Sequence, residues 1–446
     1  MTRHADRLRQ ILGKGPCTAS QIGAALGVSQ QAVSRAIVAL GDEVLRIGAA
    51  RSTRYLLRDA RRGVPDVPVY RVGDDGRVAR LGLLVPVLPE GYVMRGEGGT
   101  AVHHEGLPWW MADMRAAGFL GRAWAVRHAQ SLGLSPRLPE WSDTDHLRAL
   151  LAHGFDAVGH LLLGDLAHER HLTAPEPQPI PAGERGPAYA RLAEEAARGE
   201  LPGSSAGGEQ PKFTAHVETA AGPAHVIVKF TLPDRNPVTE RWADLLLAEH
   251  HALQTLRAAG VPAARTELID HAGQRFLQVE RFDRVGPLGR HALLSLASLD
   301  AEFTGAAPAP WPAIVSRLAD AGHVAPEAIA GAALLYAFGV LIGNTDMHPG
   351  NLSFTGAGRP WALAPAYDML PMGFAPTAGG ALPGELAPPV LRPVVPAQTW
   401  RRALELAEAF LDRVRAEGRW SERWGACVVA LERHVEAVRG QIGRMG

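Results

Sequence analysis

The chain has 446 residues, 46% of them hydrophobic and 21% charged, a balance that allows sizeable cores and excludes a wholly disordered protein. Formal charge is zero over the chain, yet residues 1–62 carry 11 Lys and Arg against 4 Asp and Glu. This implies a small polyanion-binding head on a mildly acidic body and argues against a chain that coats nucleic acid along its length. Cys17 and Cys427, at opposite ends, exclude a disulfide framework or a cysteine-ligated zinc site. A start without the apolar core of a signal peptide, and a longest apolar run, Ile329 to Gly343, too short for a bilayer, lead to the expectation of a cytoplasmic protein with no membrane role.

At roughly 150 residues per domain the length implies two to four units. In the first, Ala19 to Leu40 reads as two short amphipathic helices around a turn. Ser20 and Ser29 are the expected caps, and Gly27 permits the sharp turn. Ala24, Ala25, Leu26, Val28, Val33, Ile37 and Leu40 are expected inward, leaving Ser29, Gln30, Gln31, Ser34 and Arg35 toward a groove. Gln and Arg offer bidentate hydrogen bonds to base edges, and Ser reaches phosphates. Two alternating runs follow, Val44 to Ile47 and Thr53 to Leu57, with Arg51 at the tip between them and Arg54 beside it, which reads as a basic wing. A winged helix-turn-helix at residues 1–63 is therefore expected to bind DNA, with a symmetric dimer as the default for a palindromic site. A purely structural three-helix cap is the bland alternative.

Gly and two Pro near Val64 break the pattern. A second unit, 64–183, shows β-type alternation from Val69 to Leu88, a helical pattern from Leu147 to Leu166, and a Pro-rich run from Thr173 to Gly183 that reads as linker or long surface loop. From 184 to 285 the expected order is strand, strand, a helix over Thr239 to Ala259, and a strand from Phe276, a small mixed lobe. Residues 286–446 are mainly helical, with an apolar helix ending at Gly343.

The strongest chemical signal is G-N-T-D-M-H-P-G-N-L-S-F at Gly343 to Phe354. An Asp with an Asn five residues later suits phosphoryl transfer, Asp346 orienting a hydroxyl and taking its proton and Asn351 holding magnesium. Asp368 follows as a second metal-ligating carboxylate, and His348 can donate to a phosphate or hold the loop. Upstream, Lys229 ends a strand where α- and β-phosphates would lie, and Glu249 on the next helix can pair with it. Ser204 to Phe213 gives a glycine turn whose N–H groups can cradle phosphates, with Lys212 adding charge; it has neither Walker nor G-x-G-x-x-G spacing. Each piece alone is as compatible with a turn or a solvated lysine. Their order is the linear layout of a two-lobed kinase.

These residues resemble the HipA-like toxin kinases, in a S-x-x-G-x-Q-x-K loop at Ser205 to Lys212, a V-E-R-F-D-R segment at Val279 to Arg284, and an N-x-D-x-H-x-x-N loop at Asn344 to Asn351. The fused head is similar to the YjjJ-type branch. The resemblance implies an α+β, two-lobed, protein-kinase-like fold and a serine/threonine kinase using ATP and Mg²⁺. Its substrate would be a component of translation such as an aminoacyl-tRNA synthetase. Asp346 would be catalytic. Gly207, Gly208, Glu209, Gln210, Pro211, Lys212, Lys229, Glu280, Arg281, Phe282, His348, Asn351, Tyr367 and Asp368 would bind ATP, with Asn351 and Asp368 on the metal. Ser205, or its neighbour Ser204, would take an autophosphate that expels the loop and switches the enzyme off. Met347 departs from the Arg that many relatives carry after the catalytic Asp. A transcription factor whose body only senses nucleotide, and a small-molecule kinase, are the competing readings.

Overall fold

The structure, a computed structural model, describes residues 2–198 and 210–445. Three helices open it, α1 (Thr2–Leu12), α2 (Ala19–Leu26) and α3 (Gln30–Leu40). Thr18, and not Ser20, caps α2. Its hydroxyl accepts from the Gln21 N–H at 3.3 Å while the Gln21 side chain accepts from the Thr18 N–H at 2.8 Å, a reciprocal box that starts the helix at Ala19 and leaves Ser20 inside its first turn. The helix ends at Gly27, whose φ of +69° is left-handed, and Ser29 caps α3 at 3.4 Å. Leu8, Leu12, Ile22, Leu26, Val33, Ala36 and Leu40 form the core of the head. Ala24 and Ala25 are exposed instead of inward, because the buried stripe of α2 is set by Ile22 and Leu26, four residues apart, and the residues between lie on the other side.

The hairpin of β1 (Val44–Ile47) and β2 (Arg54–Leu57) follows, with Arg51 in the short 3₁₀ turn Ala50–Ser52 at its tip. Its inner residues Leu45 and Leu56 pack on Val85, Val87 and Val93. These belong to a five-stranded sheet of order β6-β5-β4-β3-β7, built from β3 (Val67–Val72), β4 (Val78–Pro86), β5 (Tyr92–Gly96), β6 (Ala101–His104) and β7 (Leu161–Leu163). Arg62 fastens the joint, pairing with Asp59 at 2.8 Å and donating to the carbonyls of Val87 at 2.6 Å and Gly91 at 2.8 Å. The break near Val64 is thus a docked corner.

Helices α4 (Gly118–His128), α5 (Asp143–His153) and α6 (Gly164–Thr173) complete this middle unit. The single helical pattern expected over Leu147 to Leu166 is two helices separated by β7. Gly159 and Gly164, at φ of +81° and +80°, break it, and the three leucines between them are buried as a strand paired with β3. The Pro-rich run is tied down at Ile180, which bridges Val217 in parallel; its N–H donates to the His216 carbonyl at 2.9 Å.

Helix α7 (Arg185–Ala197) then leads to an antiparallel sheet of order β10-β11-β9-β8, from β8 (Lys212–Thr219), β9 (Gly222–Phe230), β10 (Thr266–His271) and β11 (Gln274–Glu280), crossed by α8 (Pro237–Ala258). Alternation along β9 sends Val226, Val228 and Phe230 against Tyr189 of α7 and Phe119 of α4. Lys229 must therefore point to the opposite face, where its register neighbour Leu277 packs on Leu246 of α8. Strand β10 escaped the sequence pattern: it is a half-buried edge carrying two acids, joined to β11 through Ala272 and Gly273, both at positive φ.

Two short pairs, β12 (Arg284–Val285) with β13 (Gly289–Arg290) and β14 (Leu294–Ser295) with β15 (Ser353–Thr355), lead into and through the second lobe, where β16 (Ala362–Leu363) adds a third strand beside β15. Its helices are α9 (Leu296–Phe303), α10 (Trp311–Asp320), α11 (Glu327–Leu341), α12 (Ala397–Ala416) and α13 (Gly425–Gly443). Helix α11 is apolar on nearly every side because it lies inside the lobe, in one core with Trp311, Trp400, Phe410 and Trp424. No described helix is long and apolar enough to cross a membrane. The chain is an α+β protein whose body has two lobes.

Leu56 is fully buried between wing and middle sheet. Leu56→Ala is expected to lower stability by about 2–5 kcal/mol, read from denaturant midpoints, and to raise amide exchange in β1 and β2 before the rest of the chain.

Candidate active site

Lys229 sits 8% exposed at the end of β9. Its ammonium donates to both carboxylate oxygens of Glu249, at 2.7 and 2.6 Å, and to Asp368. Glu249, wholly buried on α8, is reached because α8 lies across the face of the sheet to which Lys229 points. Asp368 arrives from the other lobe. Ala366 exchanges backbone hydrogen bonds with the Pro262–Ala264 segment at 2.9 Å each, which sets the next two residues beneath β9. Lys212 is the register partner of Lys229 across β8 and β9, so both cations occupy one face. Burial alone would discharge Lys229, but the two carboxylates outweigh it and hold its pKa above the ordinary lysine value. Burial likewise pushes Asp368 up, yet the charges of Lys229 and Lys212 bring it below the usual carboxylate range.

The loop after α11 is built by its own side chains. Gly343 takes a φ of +74°. The Asn344 side chain accepts from the Asp346 N–H at 3.0 Å and reaches the Asp368 carbonyl at 3.5 Å. The Asn351 amide donates to the Asp346 carbonyl at 2.7 Å. Tyr367, next to Asp368, donates to the Gly350 carbonyl at 2.8 Å and lies 2.6 Å from the Ser353 hydroxyl. Asp346 is exposed, at the lip of this arrangement. His348 Nδ1 accepts from the Gly350 N–H at 3.0 Å, so in the neutral ring the remaining proton is on Nε2, 3.9 Å from Asp346. Met347 turns inward. A Cβ on Gly339 of α11 would lie 2.4 Å from its sulfur, so the side chain at 347 packs on the lobe core and an Arg there would not face Asp346 without repacking.

The donor set fits a hard divalent cation. With its amide nitrogen bound to Asp346, Asn351 keeps its carbonyl oxygen as the acceptor, and with the Asp368 carboxylate this offers the oxygen ligands magnesium takes. Two lysines on one face beside them suit a polyphosphate. Among the described residues no group of three or more His, Cys, Asp or Glu is placed to hold a metal ion.

The structure thus brings together Lys212, Lys229, His348, Tyr367 and Asp368, with Asp346 and Asn351 on the same loop. Gln210 and Pro211 lead into β8, Gln210 donating to the Phe230 carbonyl and Pro211 accepting from the Phe230 N–H at 3.0 Å. Phe282 reaches the site, its ring centroid 5.8 Å from that of Tyr367. Glu280 lies at the end of β11, 3.9 Å from Arg265. Arg281 does not join the cluster. Its guanidinium is bound by Asp283 at 2.9 Å and Asp156 at 3.0 Å, which ties the middle unit to the V-E-R-F-D-R segment. Ser204, Ser205, Gly207, Gly208 and Glu209 lie outside the described residues. Sequence reasoning missed Asn344 as the loop's organiser, although its place two residues before Asp346 is the signature of an Asx turn.

Residues 64–172 match the family described as the YjjJ-like toxin, middle domain, and residues 204–421 the HipA-like C-terminal domain. The chain is 38% identical to Toxin YjjJ of Escherichia coli strain K12 over 443 residues, 99% of this chain and 100% of that protein. Among solved structures it is similar to a chain of the Shewanella oneidensis MR-1 toxin–antitoxin complex of HipA, HipB and operator DNA. The TM-score is 0.47 and identity 15%, over 83% of this chain and 96% of that one. It is also similar to the Helicobacter pylori proinflammatory kinase CtkA, with TM-score 0.37 and identity 12%, over 52% of this chain and 90% of that one.

Removing Lys229 strands a carboxylate in the interior. Lys229→Met is expected to cost about 3–5 kcal/mol, and Lys229→Met/Glu249→Gln to recover at least about 1 kcal/mol of it, because a neutral amide needs no counter-charge; denaturant unfolding of the four-member cycle measures the coupling. Asp283 supplies a pH test. Burial raises its pKa, but hydrogen bonds and charge from Arg281, then Arg284, prevail and hold it at about 2. A carboxylate depressed in the folded state contributes stability that is full above its unfolded value of about 3.9 and lost as pH falls toward 2. Asp283→Asn is therefore expected to flatten the acid limb of stability between about pH 4 and 2.

Proposed function

Because this chain belongs to the YjjJ-like toxins, a HipA-like family, we propose that it is an ATP- and Mg²⁺-dependent serine/threonine protein kinase with a DNA-binding head. The observation that carries this reading is the meeting of Lys229, Glu249 and Asp368 across the two lobes, beside the loop of Asp346 and Asn351.

In this reading Glu249 holds Lys229 extended, so that the ammonium turns from Asp368 to the α- and β-phosphates, which leaves the carboxylate free for the cation. Magnesium held by Asn351 and Asp368 would neutralise charge developing on the transferred group. Asp346, exposed and with its backbone fixed by Asn344 and Asn351, orients the substrate hydroxyl and takes its proton. His348 Nε2–H is available to a phosphate oxygen. Gln210 and Pro211 anchor the start of β8, from which the preceding glycine turn would cover the nucleotide, and Phe282 and Tyr367 would line the adenine side. The substrate class is a component of translation such as an aminoacyl-tRNA synthetase. Phosphate on Ser205, or on Ser204, would place nearly two negative charges beside those of the nucleotide and silence the enzyme.

The head supports DNA binding through Gln30, Gln31, Ser34 and Arg35, all exposed on α3, with Ser29 at its cap and Arg51 and Arg54 on the wing. Two such heads in a dimer would read a palindromic site, and a cytoplasmic location suits both DNA and a translation component as partners.

Asp346→Ala is expected to cut phosphate transfer from labelled ATP by about 10²–10⁴-fold with ATP affinity retained, and mass spectrometry of the parent with ATP and magnesium should find phosphate on Ser204 or Ser205. ATP and operator binding without transfer to itself or to cell lysate would instead identify a nucleotide-sensing regulator. Arg54→Ala should weaken DNA binding across all sequences and reduce the salt slope by about one, measured by titration at several salt concentrations.

A further inference from the structure

A second cationic site stands apart from the Lys229 cluster. Between the middle unit and the V-E-R-F-D-R segment lies a cavity of about 300 Å³ lined in part by Arg281, Arg284, Arg290, His216 and His225. Asp156 and Asp283 are the acids that reach the guanidinium groups, while Glu176, exposed between the lining Pro175 and Pro177, acts on His216. The two aspartates are already taken: Arg284 pairs with each at 2.7 Å, and Arg281 pairs with each as well. Three guanidinium groups against two carboxylates leave one positive charge without a partner.

That charge belongs to Arg290. The residue is 5% exposed. Its Nη2 donates to the Phe155 carbonyl at 2.6 Å, and the group lies 5.5 Å from the centre of the Phe155 ring. Its Nη1 is buried with no hydrogen-bond partner among the described residues. Buried donors of a charged group are rarely left unpaired, and an orphan of this kind calls for an acceptor. The site offers what an oxyanion needs: net positive charge, a fixed planar donor, and room for a small group against two imidazole rings whose centres are 4.5 Å apart. Burial, and then the charges of Arg284 and Arg281 against those of Asp156 and Asp283, press the pKa of Arg290 down to about 10.

We propose that this cavity binds an oxyanion of the phosphate class, either free phosphate or the head of a small phosphomonoester, with Arg290 as its principal donor. Phe155 and Asp156 come from the middle unit and Arg281, Arg284 and Arg290 from the segment after β11, so the cavity lies at the joint between them. The inference does not rest on the kinase reading.

The test is titration of the full chain with inorganic phosphate and with glycerol phosphate, against potassium chloride at equal ionic strength, by calorimetry and thermal unfolding. Phosphate is expected to raise the melting temperature beyond chloride, in the parent and in Lys229→Met alike. Arg290→Met is expected to bind at least about tenfold more weakly, while its melting temperature without phosphate equals or exceeds that of the parent. Should Arg290→Met fail to fold, Arg290→Lys, which keeps charge but loses the planar fork, must still weaken binding. Tighter glycerol phosphate would mark an esterified ligand and tighter phosphate the free ion. The proposal is overturned by a response no larger than that of chloride, by one unchanged in both Arg290 variants, or by one abolished in Lys229→Met, which would place the ion in the cleft.

Discussion

The ammonium of Lys229, shared between Glu249 and Asp368, is the interaction on which the body of this protein depends. It is almost fully removed from water, where each charge is costly alone and strongly attracted to its opposite. The three residues come from a strand, a helix and a segment of the other lobe, separated by up to 139 positions. Lys229 and Glu249 meet once the sheet and α8 are in place, and Asp368 joins them only when the second lobe docks. A charge triple of this kind adds little to net stability compared with well-packed apolar groups, but it selects one arrangement of the lobes, since any other leaves an ion buried without a partner.

Around this centre the units are joined by continuous contacts. The wing packs on the middle sheet through Leu45 and Leu56, the middle unit reaches the V-E-R-F-D-R segment through Asp156, and that segment continues from β11, whose neighbour β9 carries Lys229. Arg62 at one joint, and Arg281 with Arg284 at the next, do the same work with different partners. Each side chain carries several donors, and a guanidinium can satisfy carboxylates and carbonyls at once where a lysine would satisfy fewer in fixed directions. The head is thereby held against the body by apolar packing and directed hydrogen bonds.

Much of the candidate site was legible because chemistry restricts the residue types. An Asp and an Asn five apart, a lysine ending a strand and a later Asp can be ordered on paper, and the structure gathers Lys229, Glu249 and Asp368 from those positions. What escaped was decided by tertiary surroundings. Nothing local in L-L-L at Leu161–Leu163 tells a strand from a helix, and the outcome follows from two glycines at positive φ and an open edge on β3. Ala24 and Ala25 look as apolar as Leu26, yet Ile22 and Leu26 alone set the buried side. Arg281 stands inside a recognisable motif, but its direction depends on Asp156, 125 positions away. Met347 likewise packs against Gly339, a direction set by α11 and not by the loop's own sequence.

Asp368 shows how such a site is held. It is one of three described non-glycine residues at positive φ, at +50°, a conformation that costs on the order of 1–2 kcal/mol for most side chains and less for Asp, whose short polar group can bond nearby. Glycine would relieve that strain and remove the carboxylate. The strained residue is retained because its neighbours define it from every side: Ala366 is locked to the Pro262–Ala264 segment, Tyr367 is bonded to Gly350, and Asn344 reaches the Asp368 carbonyl. With the backbone so determined, the carboxylate has one direction left, toward Lys229. The direction of this carboxylate is thus set by backbone contacts of its neighbours and not by the Lys229 ammonium alone.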